Sequence, residues 1–163
     1  KGKQVLVFVH SRMETMNYAK EILRIAEQHR ELDYLVSKDL KTSKDARQIT
    51  NKILNEIIPY GIGFHNAGML RKDRNIVERL FANKYINVLV STSTLAWGVN
   101  LPAYACIIKG INYYDSSQGK KVNIEILDIQ QMFGRAGRPQ YDTKGVAVIM
   151  TEEEKVEKFS NLN

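Results

Sequence analysis

The chain is built from short apolar runs that alternate with longer segments whose apolar residues recur every three or four positions. The first run, residues 4–10, is nearly unbroken and rich in β-branched residues, which is typical of a parallel strand buried on both faces. A capping box, Ser11 with Glu14, follows it directly, and apolar residues at helical spacing continue to about residue 28. The pattern predicts a strand followed at once by a helix over residues 12–28, which is half of a βαβ unit.

The same rhythm continues along the rest of the chain. Helices are predicted at residues 46–57, with Pro59 as the stop, and at residues 71–83. The charged and polar residues 30–47 interrupt the pattern and are interpreted as a surface insertion. Further strands are predicted at residues 61–65, 86–91, 105–108 and 145–150.

Two later segments differ from this rhythm. Residues 110–126 hold a turn-forming stretch between β-favouring flanks, which predicts an extended hairpin. Asp128 and Gln131 are predicted to cap a short helix, which Pro139 must end. Strands that alternate with helices in this way specify an α/β fold, with a mainly parallel sheet flanked by helices and an inserted β-hairpin.

Composition narrows the class of protein. Among 163 residues, 24 Lys and Arg against 18 Asp and Glu give a net charge of +6, which is consistent with nucleic acid as a partner before a membrane surface. No apolar run approaches the ~20 residues that cross a bilayer. The lone Cys106 has no second cysteine to pair with, which favours a reducing intracellular compartment, and its place within a strand predicts a buried thiol.

The domain organisation is predicted to be simple. We find no internal repeat, low-complexity tract or interdomain linker, so residues 1–163 are interpreted as one domain. The sequence starts without an initiator Met or a signal peptide and stops in an amphipathic stretch. We therefore expect a piece excised from a much larger protein.

Candidate chemistry lies at the ends of the predicted strands, where ligands bind in open α/β folds. Polar residues follow three strands, at residues 10–12, 65–68 and 91–94. Near the end of the chain, Arg135 and Arg138 are three residues apart, so a helix would present both guanidinium groups on one face toward phosphoryl oxygens. A solvated basic helix end is the alternative interpretation.

Several of these residues also have ordinary structural explanations. Residues 91–94 could form a simple polar turn, and Trp97 is expected in the core. His10 and His65 lack metal-ligand spacing, so no metal site is predicted. The chain also has no G-x-x-x-x-G-K-[ST] phosphate loop and no Asp-Glu pair after a strand that would hold Mg²⁺. A phosphate-facing rim without a phosphate loop suggests one half of a composite site.

Three segments, residues 7–12, 92–103 and 131–138, resemble motifs IV, V and VI of superfamily-two DExH helicases. They are most similar to the Ski-like branch, which contains the large spliceosomal helicase that unwinds small nuclear RNA duplexes. The segments at residues 65–69 and 107–110 add to the resemblance. It covers nearly the whole chain and is weakest between residues 30 and 55.

The resemblance implies a RecA-like fold and the second lobe of a helicase motor. ATP is then the substrate, and the phosphate loop, the DExH motif and the Mg²⁺ ligands are expected on a preceding lobe. Arg138 resembles the arginine finger, Arg135 would assist at the phosphates, and Gln131 would couple nucleotide state to the lobe interface. Gly98 and Asn100 match positions near the nucleotide.

The resemblance also implies a nucleic-acid interface. The residues that match strand-contacting positions are Arg12, His65, Asn66, Gly68, Thr92 and Thr94. The 110–126 hairpin occupies the place of the strand-separating hairpin. Where the family has His-His and Thr-Ala-Thr, this chain has His65-Asn66 and Thr92-Ser93-Thr94, which keep the hydrogen-bonding capacity.

The implied partners are the first RecA-like lobe, single-stranded or duplex RNA with DNA as a possibility, and spliceosomal proteins in the nucleus, with no membrane. Within the family, the helicase of the activating-signal-cointegrator complex is the alternative. Residues 65–81, and especially residues 69–75, favour that alternative. Residues 59–61, 90–92 and 141–145 favour the spliceosomal enzyme, which we prefer.

Two other classes are considered. One is a non-catalytic regulatory cassette that binds proteins, against which the intact Gln131, Arg135 and Arg138 argue. The other is a passive single-strand-binding module, for which the candidate stacking residues are Tyr113, Tyr114 and Tyr141. If the chain is half of a composite site, the 163 residues alone are predicted to lack ATPase activity.

Overall fold

A computed structural model describes residues 3–36, 43–137 and 144–151. Its strands are β1 (Val5–Phe8), β2 (Ile62–His65), β3 (Val88–Ser91), β4 (Ala105–Lys109), β5 (Asn112–Asp115), β6 (Lys120–Asn123) and β7 (Val146–Met150). Its α-helices are α1 (Arg12–Gln28), α2 (Leu32–Leu35), α3 (Lys52–Ile57), α4 (Arg71–Ala82), α5 (Thr94–Gly98) and α6 (Ile126–Phe133).

Five strands form one sheet in the order β2-β3-β1-β4-β7, and every pairing in it is parallel. The central strand β1 pairs with β3 on one side and with β4 on the other, so that Val5 lies between Val88 and Ala105. Between β3 and β4 the chain therefore crosses from one side of β1 to the other. The predicted α/β class with a mainly parallel sheet is confirmed, and the carboxyl ends of the strands share one edge.

The core lies between this sheet and the helices packed against it. Phe8, Phe64 and Phe81 are completely or almost completely buried in it. Helix α1 packs against β2 and β3, α4 packs against β2, and α6 packs against β4 and α5. Cys106 is buried in β4, as predicted, and burial raises the pKa of its thiol to about 12. The side chain of Trp97 is not among those described.

The first predicted helix is confirmed over its whole length, including its cap. The Ser11 hydroxyl accepts the N–H of Glu14 at 3.2 Å, as in a capping box. The return bond goes to an unexpected partner, because the Glu14 carboxylate accepts the N–H of His10, at 2.9 Å, rather than that of Ser11. The cap thus fastens the end of the first strand as well as the start of α1.

The predicted 46–57 helix is divided in the structure. A 3₁₀ turn at Ala46–Gln48 is separated from α3, and Pro59 lies inside a second 3₁₀ turn, Ile58–Tyr60, instead of ending the helix. Proline fits there because its fixed φ suits the first turn of a helix. The stop is Gly61, whose φ of 76° is left-handed and whose position against the Leu35 carbonyl leaves no room for a Cβ.

The predicted caps of the last helix are wrong. Helix α6 begins at Ile126, after the extended Glu125, and Asp128 lies within its first turn, where a carboxylate favours the helix dipole. The helix ends at Phe133, closed by hydrogen bonds from Gly134 and Arg135 to the preceding turn. Arg135 therefore lies beyond the helix, and the expectation that a helix presents it beside Arg138 is not met; Arg138 and Pro139 lie outside the described residues.

The predicted hairpin is confirmed as the antiparallel pair β5–β6. Its tip is ordered by Asp115, whose carboxylate accepts the N–H of Ser117 at 2.8 Å and the side-chain amide of Gln118 at 2.9 Å. At its root, Ile111 and Ile124 are buried and joined by a backbone hydrogen bond. Among the described residues, no helix combines the length and the apolar character that a membrane crossing demands.

Candidate functional site

The carboxyl ends of β1, β2 and β3 bring one group of predicted site residues together. Arg12 and Thr94 are exposed, and Thr92 is half-buried. The hydroxyl groups of Thr92 and Thr94 are hydrogen-bonded at 3.0 Å, and the N–H of Thr92 donates to the carbonyl of His65 at 3.3 Å. The ends of β2 and β3 are thereby joined, with two hydroxyls and a guanidinium available to a ligand at this edge.

Gly68 lies directly against the Arg12 side chain. A Cβ at this glycine would be 3.0 Å from Arg12 Cδ and 3.2 Å from its Nη1. The N–H of Gly68 donates to Asn66 Oδ1 at 2.9 Å, which holds the loop in this position. The lack of a side chain therefore allows Arg12 to lie across the loop that follows β2.

Asn66 supports this arrangement from below the surface. It is buried, and its Nδ2 donates to Thr15 Oγ1 at 2.9 Å, while the Thr15 hydroxyl donates to the carbonyl of Arg12 at 2.6 Å. Both polar atoms of the amide thus have internal partners. The predicted contact between Asn66 and a bound strand stays a prediction, and what the geometry gives is a residue that holds the loop against α1.

His65 is also buried, and its Nε2 is 2.7 Å from Glu78 Oε1. Burial lowers the pKa of His65, the hydrogen bond that His65 donates to the Glu78 carboxylate opposes that shift, and the charge of Arg74 adds to it. Its Nδ1 is buried without a hydrogen-bond partner among the described residues. A neutral imidazole at the floor of the site is the form that this environment favours.

A cavity of about 320 Å³ opens beside His65. Its wall includes Thr94 and Gly98 from α5, and Arg71 and Arg74 from the start of α4. Sequence reasoning missed these two arginines as site residues. The available signal was their spacing of one helical turn directly after the loop at residues 65–70.

A second group of residues surrounds Arg135. Its Nη1 donates to Asn100 Oδ1 at 3.0 Å, and its Nη2 donates to the carbonyl of Ala96. The Arg135 carbonyl accepts the N–H of Ala103 at 2.8 Å, while its Nε is buried with no partner in the described ranges. Arg135 therefore connects the end of α6 to α5 and to the loop that follows α5.

Helix α5 lies between the two groups. Thr94 at its start belongs to the edge with Thr92, and the carbonyl of Ala96 belongs to the Arg135 group. Gly98, predicted near the nucleotide, is exposed, lines the cavity with His65, and has open space where a Cβ would be. The structure thus brings Asn100 and Arg135 together, and places Gly98 on the cavity side.

Gln131 is exposed on α6, where it is available to a neighbouring surface. Arg138 lies outside the described residues, so its predicted role stays a prediction. Among the described residues, no group of three or more His, Cys, Asp or Glu is arranged to hold a metal ion.

Comparisons with known proteins agree with the motifs. Residues 37–140 match the family described as Helicase conserved C-terminal domain. Over 99% of its length the chain is 46% identical to activating signal cointegrator 1 complex subunit 3 of Danio rerio. Over 98% of its length it is 46% identical to the U5 small nuclear ribonucleoprotein 200 kDa helicase of Homo sapiens, and 45% identical to that of Drosophila melanogaster.

These relatives are of the two kinds to which the motifs pointed, so the resemblance is confirmed. An identity of 46% to a relative of each kind does not separate the two. The chain spans 11% of the Danio rerio relative and 8% of the two U5 helicases. The similarity therefore concerns one small unit of each of these long proteins.

Proposed function

Because the chain belongs to the helicase conserved C-terminal domain family and is similar to Ski-like DExH helicases, we propose that it is the second RecA-like motor lobe of an ATP-dependent RNA helicase. The observation that carries the proposal is the arrangement around α5. The start of this helix bears Thr94 at the phosphate-suited edge, and the carbonyl of Ala96 in its middle accepts a hydrogen bond from Arg135. A helix of five residues is about 7.5 Å long, so the two groups are close enough to move together.

The edge formed by Arg12, Thr92 and Thr94 is suited to the backbone of a nucleic-acid strand. A guanidinium and two hydroxyls bind phosphate and sugar oxygens without reading base edges. Buried His65 and Asn66 would act as supports of this edge, and Gly68 would keep Arg12 in place. A motor that moves along RNA needs this kind of sequence-independent grip.

The Arg135 group is suited to the nucleotide side of the motor. We expect Arg138 to be the arginine finger at the ATP phosphates, with Arg135 and Asn100 supporting the loop from which it extends. Gln131, exposed on α6, would transmit lobe closure. The phosphate loop absent from this sequence, and the Mg²⁺ ligands, would come from a first lobe, which fits relatives many times longer than this chain.

The parent protein is proposed to act on RNA in the nucleus, with spliceosomal proteins as partners. The support is 45–46% identity to U5 small nuclear ribonucleoprotein helicases. The chain has an equal identity to a signal cointegrator subunit, which keeps a second candidate, a DNA- or ribosome-associated helicase of the signal-cointegrator type. Co-purification of U5 small nuclear RNA with the tagged parent protein would support the first candidate, and its absence would support the second.

The proposal is tested by the RNA-stimulated ATPase of the parent protein with and without Arg138→Ala. An arginine finger contributes about 10³–10⁵ in rate, so a loss of this order is expected in the folded variant. The matched control is Arg24→Ala, which removes an exposed arginine of α1 that pairs with Glu21. It is expected to leave the rate unchanged.

The isolated 163-residue chain is expected to show no ATPase activity, because it holds half of the site. Robust hydrolysis by that chain would contradict the composite-site argument. Full activity of the Arg138→Ala parent would remove this residue from the mechanism. If the parent protein shows no ATPase activity both with Arg138 and with the Arg138→Ala substitution, the result would instead support a regulatory cassette that binds proteins.

A further inference from the structure

The segment between the 3₁₀ turn at Ala46–Gln48 and helix α3 presents a threonine, Thr50, away from the Arg12 edge and the Arg135 group. Thr50 is exposed and belongs to no helix or strand. The backbone on both sides of it is extended, with φ and ψ of −67° and 131° at Ile49 and of −70° and 120° at Asn51. An exposed and extended segment of this kind is accessible to enzymes that act on side chains.

The residues before Thr50 contain a recognition element for a protein kinase. Arg47 is exposed and lies three residues before the threonine. Many protein kinases bind an arginine at this distance through an acidic patch beside the active site, because charge patterns set their choice of substrate. Thr15 is the one other serine or threonine of the chain that follows an arginine by three residues. It is completely buried within α1, which leaves Thr50 as the accessible acceptor.

Thr50 also links its segment to helix α4. Its hydroxyl donates to Asp73 Oδ2 at 2.8 Å, and its N–H donates to Asp73 Oδ1 at 2.9 Å. The N–H of Asn51 donates to Asp73 Oδ2 at 3.0 Å. Asp73 lies in the first turn of α4 and is 2% exposed, so these donors stabilise a buried carboxylate. We call these three hydrogen bonds the Asp73 clamp.

The clamp holds the end of α4 that contributes to the candidate site. The turn that contains Asp73 also bears Arg71 and Arg74, which line the cavity of about 320 Å³. A second link joins the same segment to the last turn of α4, where Arg79 pairs with Asp45 at 3.0 Å. These two side chains are 51% and 32% exposed, and exposed ion pairs contribute little to stability. The Asp73 clamp is therefore the stronger of the two links.

We propose that Thr50 is a phosphorylation site and that its phosphate opens the Asp73 clamp. A protein kinase whose acidic patch binds Arg47 transfers the γ-phosphoryl group of ATP to Thr50 Oγ1. The bond between the γ-phosphorus and the β–γ bridging oxygen breaks, ADP leaves, and the hydroxyl proton passes to the carboxylate base of the kinase. The product carries a charge of about −1.5 to −2 and has no hydroxyl donor left for Asp73. Repulsion between the phosphate and the buried carboxylate then separates residues 49–51 from the start of α4.

The consequence for the motor rests on the proposed function, whereas the modification itself does not. Thr94, which belongs to the Arg12 edge, lines the same cavity as Arg71 and Arg74. Opening of the clamp releases the turn that carries both arginines. Phosphorylation of Thr50 is therefore expected to weaken the binding of RNA by the parent protein.

The first experiment incubates the folded 163-residue chain with ATP, Mg²⁺ and a calmodulin-dependent protein kinase, a class that selects arginine three residues before the acceptor. Mass spectrometry measures phosphate incorporation at each residue. Thr50 is expected to be modified, and Arg47→Ala is expected to lower the initial rate about tenfold, as for one lost charged contact. Thr15, with the same spacing to an arginine, is the internal control and is expected to stay unmodified. An unmodified Thr50, an unchanged rate with Arg47→Ala, or equal modification of Thr15 would overturn the proposal.

Thermal unfolding of the same chain tests the clamp. Thr50→Val removes the hydroxyl alone, whereas Thr50→Glu removes it and adds a negative charge. The Glu variant is expected to unfold about 2–8 °C below the Val variant, and the difference is expected to vanish when Asp73→Asn removes the opposing charge. Equal midpoints of the two variants, or a difference that persists with Asp73→Asn, would contradict the clamp. If Asp73→Asn does not fold, the midpoint of the enzymatically phosphorylated chain decides instead, and an unchanged midpoint overturns the proposal.

The last measurement is the Kd of the parent protein for a labelled oligo-uridine before and after phosphorylation. Phosphorylation is expected to raise this Kd about fivefold, and kinase-treated Thr50→Val is the control that should not change. An unchanged Kd would overturn the consequence for the motor. Failure here is distinguishable from failure of the proposed function, because the RNA-stimulated ATPase of the unmodified parent protein tests the latter alone.

Discussion

At the scale of single residues, the position of the Arg12 side chain at the edge formed by Arg12, Thr92 and Thr94 depends on a neighbouring glycine, Gly68. Gly68 touches Arg12, and Asn66 holds Gly68 by accepting its N–H. A Cβ here would be 3.0 Å from Arg12 Cδ and 3.2 Å from Oδ1 of the buried Asn66. Because the exposed Arg12 side chain moves aside more readily than the buried Asn66, the effect of a substitution should appear more in RNA binding than in folding.

Gly68→Ala is accordingly expected to fold normally and to bind RNA about fivefold more weakly. The added Cβ would lie 3.0 Å from Arg12 Cδ, which displaces the guanidinium from the edge. The measurement is the Kd of the parent protein for single-stranded RNA, with thermal unfolding as the check on folding. Ala67→Gly, at the exposed neighbouring position, is the control. An unchanged Kd would mean that Arg12 does not contact the strand.

The buried His65 predicts a pH dependence of stability. Its pKa is lowered in the folded state, so below the ordinary value of about 6.5 the unfolded chain binds more protons than the folded one. The contribution of neutral, buried His65 to the free energy of unfolding is therefore complete above that pH. It is lost as the pH falls below that value, because the unfolded chain then takes up a proton that the folded chain does not.

Urea unfolding of the 163-residue chain at pH 7.5 and pH 5.5 measures this loss. His65→Gln, which keeps a donor for Glu78, is expected to reduce the difference between the two pH values. His29→Gln, at the exposed end of α1, is expected to retain the wild-type difference. Equal pH dependence in all three proteins would assign the proton uptake to other groups.

At the scale of elements, the critical connection is the one between α5 and α6. The short α5 has few internal hydrogen bonds of its own, and Arg135 supplies a donor to its carbonyl at Ala96 and a second to Asn100. Arg135 thereby links the end of α6 to α5, at whose start Thr94 lies. In the proposed motor, this connection would couple the nucleotide side to the strand side.

Arg135→Ala is expected to lower the free energy of unfolding by about 1–3 kcal/mol, because it leaves two acceptors without their charged donor. The measurement is urea unfolding of the 163-residue chain. Gln130→Ala, an exposed position on α6, is the matched control and should change stability by less than about 0.5 kcal/mol. An equal, small effect of both variants would show that Arg135 does not hold the two helices together.

Local sequence predicted some elements well and others poorly, for identifiable reasons. The helix Arg12–Gln28 was predictable because an apolar strand, a capping box and a long apolar periodicity all lie within one segment. Helix α5 was not predicted, since five residues are too few to show a period. The start of α6 was misplaced because Asp128 suits a first turn as well as a cap.

At the scale of the whole molecule, the site residues come from distant parts of the chain and meet at one edge of the sheet. Sequence reasoning correctly placed Arg12, Thr92 and Thr94 at that edge, because carboxyl ends of parallel strands converge there. It did not anticipate that His65 and Asn66 are buried, since burial depends on what packs above a residue. It also missed Arg71 and Arg74, whose relevance arises from a shared cavity.

By itself the sequence determined the strands, the main helices, the hairpin and the family, because capping, β-branching, apolar periodicity and motif spacing are properties of short segments. The tertiary structure alone decided that β1 lies between β3 and β4, that Arg135 is held by α5, and that the hairpin borders a cavity. His10 and Gly110, which anchor that hairpin, are 100 residues apart. Contacts over such distances depend on the packing of the whole chain, which no local pattern records.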